Sequence, residues 1–563
     1  MTFGQPKRPR RRLARTSLLL FIIITALVML AFATPVTITK ANDASYAGTL
    51  IRPYYENANA PVTGCTAPCL TVDTQTTQPV TSNSFALASA ASMYLWSPQF
   101  AAATTANAGT WALDFWAAAA SYTNVPITLT NGQTAATPNP FQVLIQPNPS
   151  KYSTSEASDL GNVAFCTTAT CTTELNSWLE GCGSASPYGP CSTSSTVANF
   201  WVKLTSVMAA NGGTLTIYMV FLPTSTEFDK NYRGEAPQLS STYAQFDNGA
   251  NVFDLYFNGN TATSSFNIAA NNGISQQTTA NPISGGPTLN VVGLTGYGAA
   301  NRVNMILTTP LPAGNPAYGE IAESYSEIQA GGPPYTADVS GLAGFCDSTT
   351  PGSTTINAES EDVGLGSSLY AYIYDANGAP NIVNGGGADA ATTWYYAALA
   401  YPGTASTSFS GIVSTTFYAS YATAAGYHPI TGSANLYWCS IGSSSGTYPV
   451  GIYFNWGRAR AYPPSGVAPT VAFGTYSVNT LSVSIYVTNS AGTSTATVAS
   501  GVTSPLLSAV KSETSMKFSA ATVTIPANGY IEFVIVASTQ ACTIYWGTGQ
   551  PTDFQVSFTS RTT

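Results

Sequence analysis

The chain has 563 residues and a formal net charge of −8, with 44% hydrophobic and only 8% charged residues. A hydrophobic fraction this high excludes an intrinsically disordered chain, and the length allows two to four domains. The excess of acidic over basic residues argues against nucleic acid as a partner.

The scarcity of charge suits a protein exposed to acid. Carboxylates lose their charge at low pH, and the remaining basic residues then repel one another unless they are few. A viral or crystalline surface layer in neutral water has a similar composition, so both settings stay open. Either setting favours an extracellular, β-rich protein.

The N-terminus carries an export pattern. Six of the 18 basic residues lie within the first 15 positions, and the apolar run LLLFIIITALVMLAFA follows at 18–33. A basic flank before an apolar core predicts a signal peptide over 1–33, with a small-x-small cleavage site that ends at Ala33. An uncleaved membrane anchor is the alternative. After cleavage, 12 basic and all 26 acidic residues would remain, a net charge of −14.

Short apolar runs bounded by Gly, Pro, Asn and Ser fill the rest of the chain and predict an all-β fold of several stacked sandwiches. Residues 34–80 are polar and Thr-rich, and we interpret them as an extended lead-in. Residues 81–121 contain two apolar strands, SFALASAASMYLW and GTWALDFWA, that have no companions nearby.

Two further units follow along the chain. Residues 122–242 form a small β-domain with the strands VPITLTNG, FQVLIQ, ANFWVKL and TLTIYMVFL. Residues 243–475 hold more than a dozen strands, among them NVFDLYFNG, TTWYYAALA and PVGIYFNWGRARAY, which is enough for a large two-sheet sandwich.

The last section, 476–563, is a sandwich that lacks strands. LSVSIYV alternates apolar and polar residues and predicts a half-buried strand, and PANG at 526–529 predicts a hairpin turn. Because this section lacks a strand pair and 81–121 is a pair without partners, we expect them to form one split outer sandwich around residues 122–475. Domain insertion is tolerated where the ends of a surface loop lie close together.

The nine cysteines favour disulfides over zinc, because no CxxC motif occurs and His428 is the one histidine. Four bridges could form, the first three across short loops, and the sequence leaves the pairing open: Cys65 with Cys69, Cys166 with Cys171, Cys182 with Cys191 and Cys346 with Cys439. Cys542 would be left over.

Three stretches resemble known families. The segments at 125–152, 201–221 and 234–254 resemble an uncharacterised family of small β-domains that commonly precedes a concanavalin A-like, laminin G-type lectin/glucanase sandwich. WGRARAYPPSGVAPTVAFG at 456–474 resembles the closing strand of that sandwich, and the outer segments resemble a module of surface proteins from acidophilic archaea. The resemblance implies an architecture and no particular activity.

A glycosidase site needs two carboxylates about 5–5.5 Å apart for a retaining mechanism. The candidates are Glu320, Glu323 and Glu327 on one side, and Glu359, Glu361 and Asp362 on the other. The run ESED at 359–362 does not reproduce the alternating Glu-x-Asp-x-x-Glu pattern of glucanases, and Glu320 and Glu323 would face opposite sides of a strand. We therefore expect no catalytic residues and no enzyme activity.

Two binding sites are hypotheses. DANG and NGGGAD supply Asp375, Asn377 and Asp389 as possible calcium ligands, although DANG is also an ordinary hairpin turn. Trp394, Tyr396, Trp456, Arg458 and Arg460 could bind a glycan by ring stacking and hydrogen bonds. The alternative is that these aromatic residues belong to the core and the arginines pair with acidic residues.

The sequence thus favours an exported structural protein of the cell envelope, a surface-layer subunit that associates with copies of itself. A glycan-binding adhesin and a secreted glycoside hydrolase are the alternatives. Surface glycans, another envelope protein, and the membrane if the N-terminal helix is retained are the other expected partners.

Overall fold

The structure is a computed structural model of the 563-residue chain. It describes residues 50–51, 55–57, 69–73, 83–87 and most of 92–558, and several strands are described by their backbone alone. The longer gaps within 92–558 are 184–187, 297–302, 313–318, 331–337, 350–355, 364–367, 375–379, 387–392, 404–407, 418–421, 426–434, 445–449, 508–511 and 547–552.

The all-β prediction is confirmed, because 39 strands account for nearly all of the regular structure that is described. The helical elements among the described residues are α1 (Gly249–Val252) and three single 3₁₀ turns, at Pro149–Lys151, Thr263–Ser265 and Pro464–Gly466.

The strands fall into four consecutive groups. The first group is β1 (Leu50–Ile51), β2 (Tyr55–Asn57), β3 (Cys69–Asp73), β4 (Asn83–Leu87), β5 (Ser92–Trp96), β6 (Thr104–Ala106) and β7 (Gly109–Ala119). The second is β8 (Thr123–Asn131), β9 (Phe141–Ile145), β10 (Val163–Cys166), β11 (Glu174–Leu175), β12 (Ser177–Cys182), β13 (Ala198–Leu204), β14 (Gly213–Phe221) and β15 (Arg233–Glu235).

The third group forms the large sandwich. It comprises β16 (Leu255–Asn258), β17 (Phe266–Ile268), β18 (Asn272–Thr279), β19 (Leu289–Gly296), β20 (Val303–Pro310), β21 (Glu320–Ala330), β22 (Asp338–Cys346), β23 (Ile356–Val363), β24 (Ser368–Tyr374), β25 (Pro380–Gly386), β26 (Trp394–Tyr401), β27 (Ser408–Ser414), β28 (Ala422–Ala425), β29 (Tyr437–Ser444) and β30 (Val450–Ala461). The fourth is β31 (Thr470–Phe473), β32 (Leu481–Thr488), β33 (Ser494–Thr503), β34 (Ser512–Ala520), β35 (Val523–Ile525), β36 (Tyr530–Ala537), β37 (Cys542–Trp546), β38 (Asp553–Gln555) and β39 (Ser557–Phe558).

Apart from β31, the first and fourth groups share one small sheet, β1-β39-β6-β35, and two larger ones. The order β2-β3-β5-β36-β32-β33 forms one sheet, and β34-β7-β37-β4 forms the other, with β38 beside β7. The strand β7 thus finds its partners some 400 residues away, at β34 and β37. Its inward side chains Trp111, Leu113 and Phe115 share a core with β32 and β36. We call this unit the outer sandwich.

The alternation predicted for LSVSIYV is present in β32, where Leu481, Val483 and Ile485 are buried and the serines between them are partly exposed. The hairpin predicted at 526–529 is wrong. The strand β35 pairs with β6, whereas β36 pairs with β5 and β32, so the turn carries the chain from one sheet to another.

The second group forms a small β-domain of two sheets, with the orders β11-β10-β14-β8-β31 and β15-β12-β13-β9. Its last strand is unexpected. Residues 470–473, which the resemblance assigns to the closing part of the large sandwich, pair with β8 of the small domain. After β30 the chain turns at Pro463 and Pro464, because proline has no N–H group to donate to a neighbouring strand. It then returns along the small domain.

The large sandwich has an eight-stranded sheet, β18-β19-β30-β21-β26-β27-β28, in which β16 also pairs with β30. Its second sheet has the order β17-β20-β29-β22-β23-β24-β25. Side chains from both sheets, such as Phe454 and Trp438, fill one core between them.

The segments that lead into and out of the inserted residues 122–475 lie side by side. Asn124 and Ser477 exchange backbone hydrogen bonds of 3.0 and 2.9 Å, and Asn479 N donates to Thr123 Oγ1 at 3.1 Å. The insertion therefore leaves and re-enters the outer sandwich at one place.

Candidate functional site

A buried cluster of charged side chains lies where the small β-domain meets the large sandwich. Alternation along β30 places Arg458 and Arg460 on one face, and the neighbouring β21 places Glu323 opposite Arg458. Glu180 reaches the same place from β12 of the small domain. Arg458, Glu323 and Glu180 each have side chains that are 0% exposed.

The ion pairs in this cluster are close. Arg458 Nη2 lies 3.1 Å from Glu180 Oε1, and Arg460 Nη2 lies 2.7 Å from Glu323 Oε1. Arg458 Nε donates to the other oxygen of Glu323. Two arginines and two glutamates balance in charge, so the group is paired as well as buried.

Aromatic rings surround both guanidinium groups. The Arg458 guanidinium carbon is 4.5 Å from the ring centroids of Phe253 and Trp456, and that of Arg460 is 4.5 Å from Trp201. Trp201 Nε1 donates to Glu180 at 3.1 Å, and the Tyr396 hydroxyl donates to Glu323 at 2.8 Å. We call these charged and aromatic residues the arginine–aromatic cluster.

Burial and charge act in opposite directions on Glu323. Burial acts to raise the pKa of its carboxyl group, but the positive charges of Arg458 and Arg460 and the hydrogen bonds from Arg460 and Tyr396 outweigh burial. The result is a pKa below the usual range, so Glu323 stays ionised in mild acid.

Four of the five residues proposed for glycan binding lie inside this cluster. Tyr396, Trp456 and Arg458 are at most 1% exposed, and Arg460 is 8% exposed. Trp394 is partly exposed, and its ring centroid is 4.9 Å from that of Tyr325. Both arginines are paired with acidic residues, as the alternative interpretation expected. The faces of Trp456 already contact Arg458 and other rings, so a sugar would have to bind elsewhere or at Trp394.

The acidic residues of β21 are in the interior. Glu320, Glu323 and Glu327 are at most 4% exposed, and Glu327 accepts a 3.0 Å hydrogen bond from Thr279. A carboxylate held ionised between two arginines is suited to an ion pair and not to donating a proton to a glycosidic oxygen. Glu359, Glu361 and Asp362 lie on β23, and their side chains are outside the described residues. The expectation of no enzyme activity stays a prediction.

The calcium hypothesis falls on undescribed positions. Asp375, Asn377 and Asp389 lie outside the described residues. Within the part of the chain that the structure describes, no three His, Cys, Asp or Glu residues are grouped so as to hold a metal ion.

Three of the four proposed disulfides are present. Cys166 is bonded to Cys171, Cys182 to Cys191 and Cys346 to Cys439. Cys65 lies outside the described residues, so the bond to Cys69 stays a prediction. Cys542 is a free, buried thiol in β37, and burial raises its pKa to about 11. Disulfides of this kind form in oxidising compartments, which supports export.

The export signal itself is outside the described residues, which begin at Leu50. Among the helices that are described, none has the length and apolar character needed to cross a membrane.

The junction contains a further acid, the half-buried Asp247, that sequence reasoning missed. Asp247 accepts hydrogen bonds from Trp178 Nε1 at 2.8 Å and from the backbone of Gly249 at 3.0 Å. It also accepts from the Tyr256 hydroxyl and from Asn258 Nδ2, both at 2.6 Å. Burial raises the pKa of Asp247 although these four hydrogen bonds oppose it. Asp247 lies in the run FDNG at 246–249, which could have drawn attention to it. The same run is also typical of an ordinary turn, so it does not by itself indicate a site.

One relative in sequence is an uncharacterised protein of Sulfolobus islandicus rod-shaped virus 1. The two chains are 35% identical over 359 residues, which cover 62% of this chain and 58% of the viral protein. The match therefore spans less than two thirds of the relative's length. No protein-family model matches the chain.

Solved structures show only a distant likeness. A carbohydrate esterase of the Shiga toxin-encoding bacteriophage phi24B aligns with 37% of this chain at 10% identity, with a TM-score of 0.27. Lectin I of Ulex europaeus also aligns with 37% of this chain, at 12% identity and a TM-score of 0.25. The potassium-bound carbohydrate recognition domain of Emp46p aligns with 42% of this chain, at 9% identity and a TM-score of 0.25. The alignments cover 98% of each of these three chains, but TM-scores of this size do not establish a shared fold or ligand.

Proposed function

We propose that this protein is an extracellular structural protein that assembles with copies of itself into a surface layer. The observation that carries this proposal is how its three units are joined. The outer sandwich and the small domain are joined by paired backbone at 124 and 477, and the small domain and the large sandwich by the arginine–aromatic cluster. A layer subunit has to hold fixed angles between its contacts, and junctions made of buried contacts serve that purpose.

The charge distribution supports the same proposal. Only 8% of the residues are charged, so two copies that approach each other meet little electrostatic repulsion. The ion pairs of the arginine–aromatic cluster are internal and do not contribute to that repulsion. Low exterior charge favours lateral association, especially in acid, where exposed carboxylates lose their charge.

The layer could belong to a cell or to a virus particle. The low charge content, which suits an acid habitat, favours the surface layer of an archaeal cell. The viral relative supports the coat of a virion as the second candidate location. In both places the protein would be exported and would act without catalysis. Calcium at Asp375, Asn377 and Asp389 would stiffen such a layer, and chelation of calcium tests that part separately.

The test uses the full chain, expressed with its own N-terminus and purified from the secreted or envelope fraction. We expect ordered sheets by electron microscopy and large sedimenting species at pH 3, with fewer at pH 7. A protein that stays monomeric at every pH and concentration would contradict the proposal. Saturable binding to immobilised sugars by such a monomer would favour the glycan-binding adhesin instead.

A further inference from the structure

A partly open groove of about 560 Å³ lies between the outer sandwich and the small β-domain. Four consecutive residues at the start of β34, 512–515, line it, together with Pro505 and Leu507. The small domain contributes the end of β14 and the segment after it, residues 221–224, as well as residues 122, 123 and 154. A volume of this size is within the range of ligand-binding pockets, about 300–1,000 Å³.

The backbone of β34 is open along this groove. Among the described strands β34 pairs with β7 alone, which makes it an edge strand of its sheet. Side chains alternate between the two faces of a strand, and four consecutive residues of β34 line the groove, which is the pattern expected of a groove that follows the strand's edge. The N–H and C=O groups of alternate residues then point into the groove and can pair with an added strand.

The size of the groove, about 560 Å³, suits one short extended segment. The small domain contributes an apolar wall to it, formed by Phe221, Leu222 and Pro223. Four residues of extended chain span about 13 Å, which matches the four residues of β34 that line the groove. Addition of a strand to an exposed edge is a common mode of peptide recognition, in which alternate side chains enter pockets.

The charge of the groove indicates what kind of segment would bind there. Glu513 is exposed and lines the groove, whereas no lysine or arginine is among the lining residues that are described. An occupant with apolar residues at alternate positions and one basic residue would complement this lining. Residues 36–40 read VTITK, in which Val36 and Ile38 alternate with threonines and Lys40 follows.

We propose that this groove binds residues 36–40 of a neighbouring copy as an added strand, with Lys40 near Glu513. The proposal rests on the self-assembly proposed above and names the contact that produces it. The added strand would pair with the edge of β34 and place Val36 and Ile38 against the apolar wall.

The positions of the chain ends favour a neighbouring copy as the donor. The strand β1 at Leu50 pairs with β39, which pairs with β6, and β6 pairs with β35. These strands lie at the end of the outer sandwich where Ala520 pairs with Gly109, whereas the groove lies at the other end, where Ser512 pairs with Ala117. A donor segment at one end and an acceptor groove at the other give head-to-tail association, which is open-ended.

The first experiment exchanges the two charges in the full chain and measures assembly at pH 7, where exposed carboxylates carry their charge. Glu513→Lys and Lys40→Glu should each weaken assembly about two- to fivefold, because an exposed ion pair becomes a like-charge pair. The double variant should restore assembly to the wild-type level. Lys517→Glu is the matched control, because Lys517 is exposed on β34 but does not line the groove, and it should leave assembly unchanged. A double variant no better than either single variant would overturn the proposal.

The second experiment separates this proposal from the proposed function. A synthetic peptide of residues 34–42 is titrated into the full chain by calorimetry, with a peptide carrying Val36→Ser and Ile38→Ser as control. Saturable binding of the first peptide alone supports the groove, even if no layer forms. If layers form although the peptide does not bind and the charge variants assemble normally, the proposed function stands. The proposal that the groove binds residues 36–40 is then overturned.

A third experiment identifies the donor chain. Chains with Ile38→Cys and differently tagged chains with Ser515→Cys are mixed and oxidised. A disulfide between the two chains supports donation by a neighbouring copy. A disulfide that forms only within one chain carrying both changes would overturn the neighbouring copy as donor.

Discussion

At the scale of single residues, the interior of this protein contains two kinds of buried acid. Glu323 and Glu180 are paired with arginines, whose positive charges lower the pKa of Glu323. Glu156 and Glu235 are buried without a basic partner in the described ion pairs, and burial raises their pKa values to about 8 and about 7. The two kinds respond to pH in opposite directions, so each leads to its own prediction.

Loss of Arg458 should destabilise the protein strongly. The change Arg458→Met leaves Glu180 and Glu323 buried with too little positive charge, so the free energy of unfolding should fall by about 3–5 kcal/mol. Urea unfolding followed by tryptophan fluorescence measures it. The exposed Lys517→Met should change the same quantity by less than about 0.5 kcal/mol. A loss below about 1 kcal/mol for Arg458→Met would mean that the cluster contributes little.

Stability should fall as pH rises from about 4.5 to 8. In the folded state Glu156 holds its proton up to about pH 8, whereas the unfolded chain releases it near 4.5. The folded state therefore binds more protons in this window, and its stability declines by up to about 1.4 kcal/mol per pH unit for one such group. Glu235 acts in the same direction over a narrower window.

The test of this pH dependence is Glu156→Gln, which replaces the protonated acid by a neutral side chain of the same shape. Unfolding curves from pH 4 to pH 8 should show a smaller decline than the wild type. Equal slopes in both proteins would contradict a protonated Glu156. Glu323 acts in the opposite sense, because its pKa is lowered and its contribution is lost as pH falls below that pKa.

At the scale of elements, β30 organises the large sandwich. It pairs with β16, β19 and β21, and it places its arginines towards the small domain while Phe454 faces the core between the two sheets. Gly457 lies between Phe257 on β16 and Ser324 on β21. A methyl group at Gly457 would collide with the Phe257 ring and approach Trp438, so a strand this crowded requires glycine there.

Gly457→Ala should reduce the free energy of unfolding by about 1–3 kcal/mol, because overpacking forces the rings to move. Gly132→Ala is the matched control, since a methyl group there has no atom within 4 Å. Thermal unfolding of both variants measures the difference. Equal melting temperatures would show that the rings can move without cost.

At the scale of the whole molecule, the chain enters and leaves the insertion through two neighbouring backbone segments, at 124 and 477. Asn124 and Ser477 are hydrogen bonded to each other, so the two halves of the outer sandwich are already close in space. As far as its residues are described, the core of the outer sandwich is made of side chains from 93–119 and 481–544 and contains no residue of the insertion.

The outer sandwich should therefore fold without the insertion. We expect a chain in which a short Gly-Ser linker replaces residues 125–476 to keep a β-type circular dichroism spectrum and to unfold cooperatively. Closing a short loop between neighbouring ends costs little entropy. A chain that shows no cooperative unfolding would mean that the insertion supplies part of the fold.

The sequence by itself determined the features that depend on local pattern. The all-β class, the alternation in β32 and the two disulfides across short loops agree with residue types and spacing near each position. The bond between Cys346 and Cys439 joins residues 93 positions apart, so local spacing does not determine it. The companions of β7 could be inferred only because its apolar side chains required partners that its neighbours did not supply.

The tertiary structure alone decided which distant residues meet. Arg458 pairs with Glu180 from another unit, β31 joins the small domain, and β35 and β36 enter different sheets. Periodicity describes which face of a strand is buried, but it does not say what covers that face. A buried arginine and an exposed arginine look alike in sequence, because the energy that keeps the charge inside comes from acids and rings that only the fold brings together.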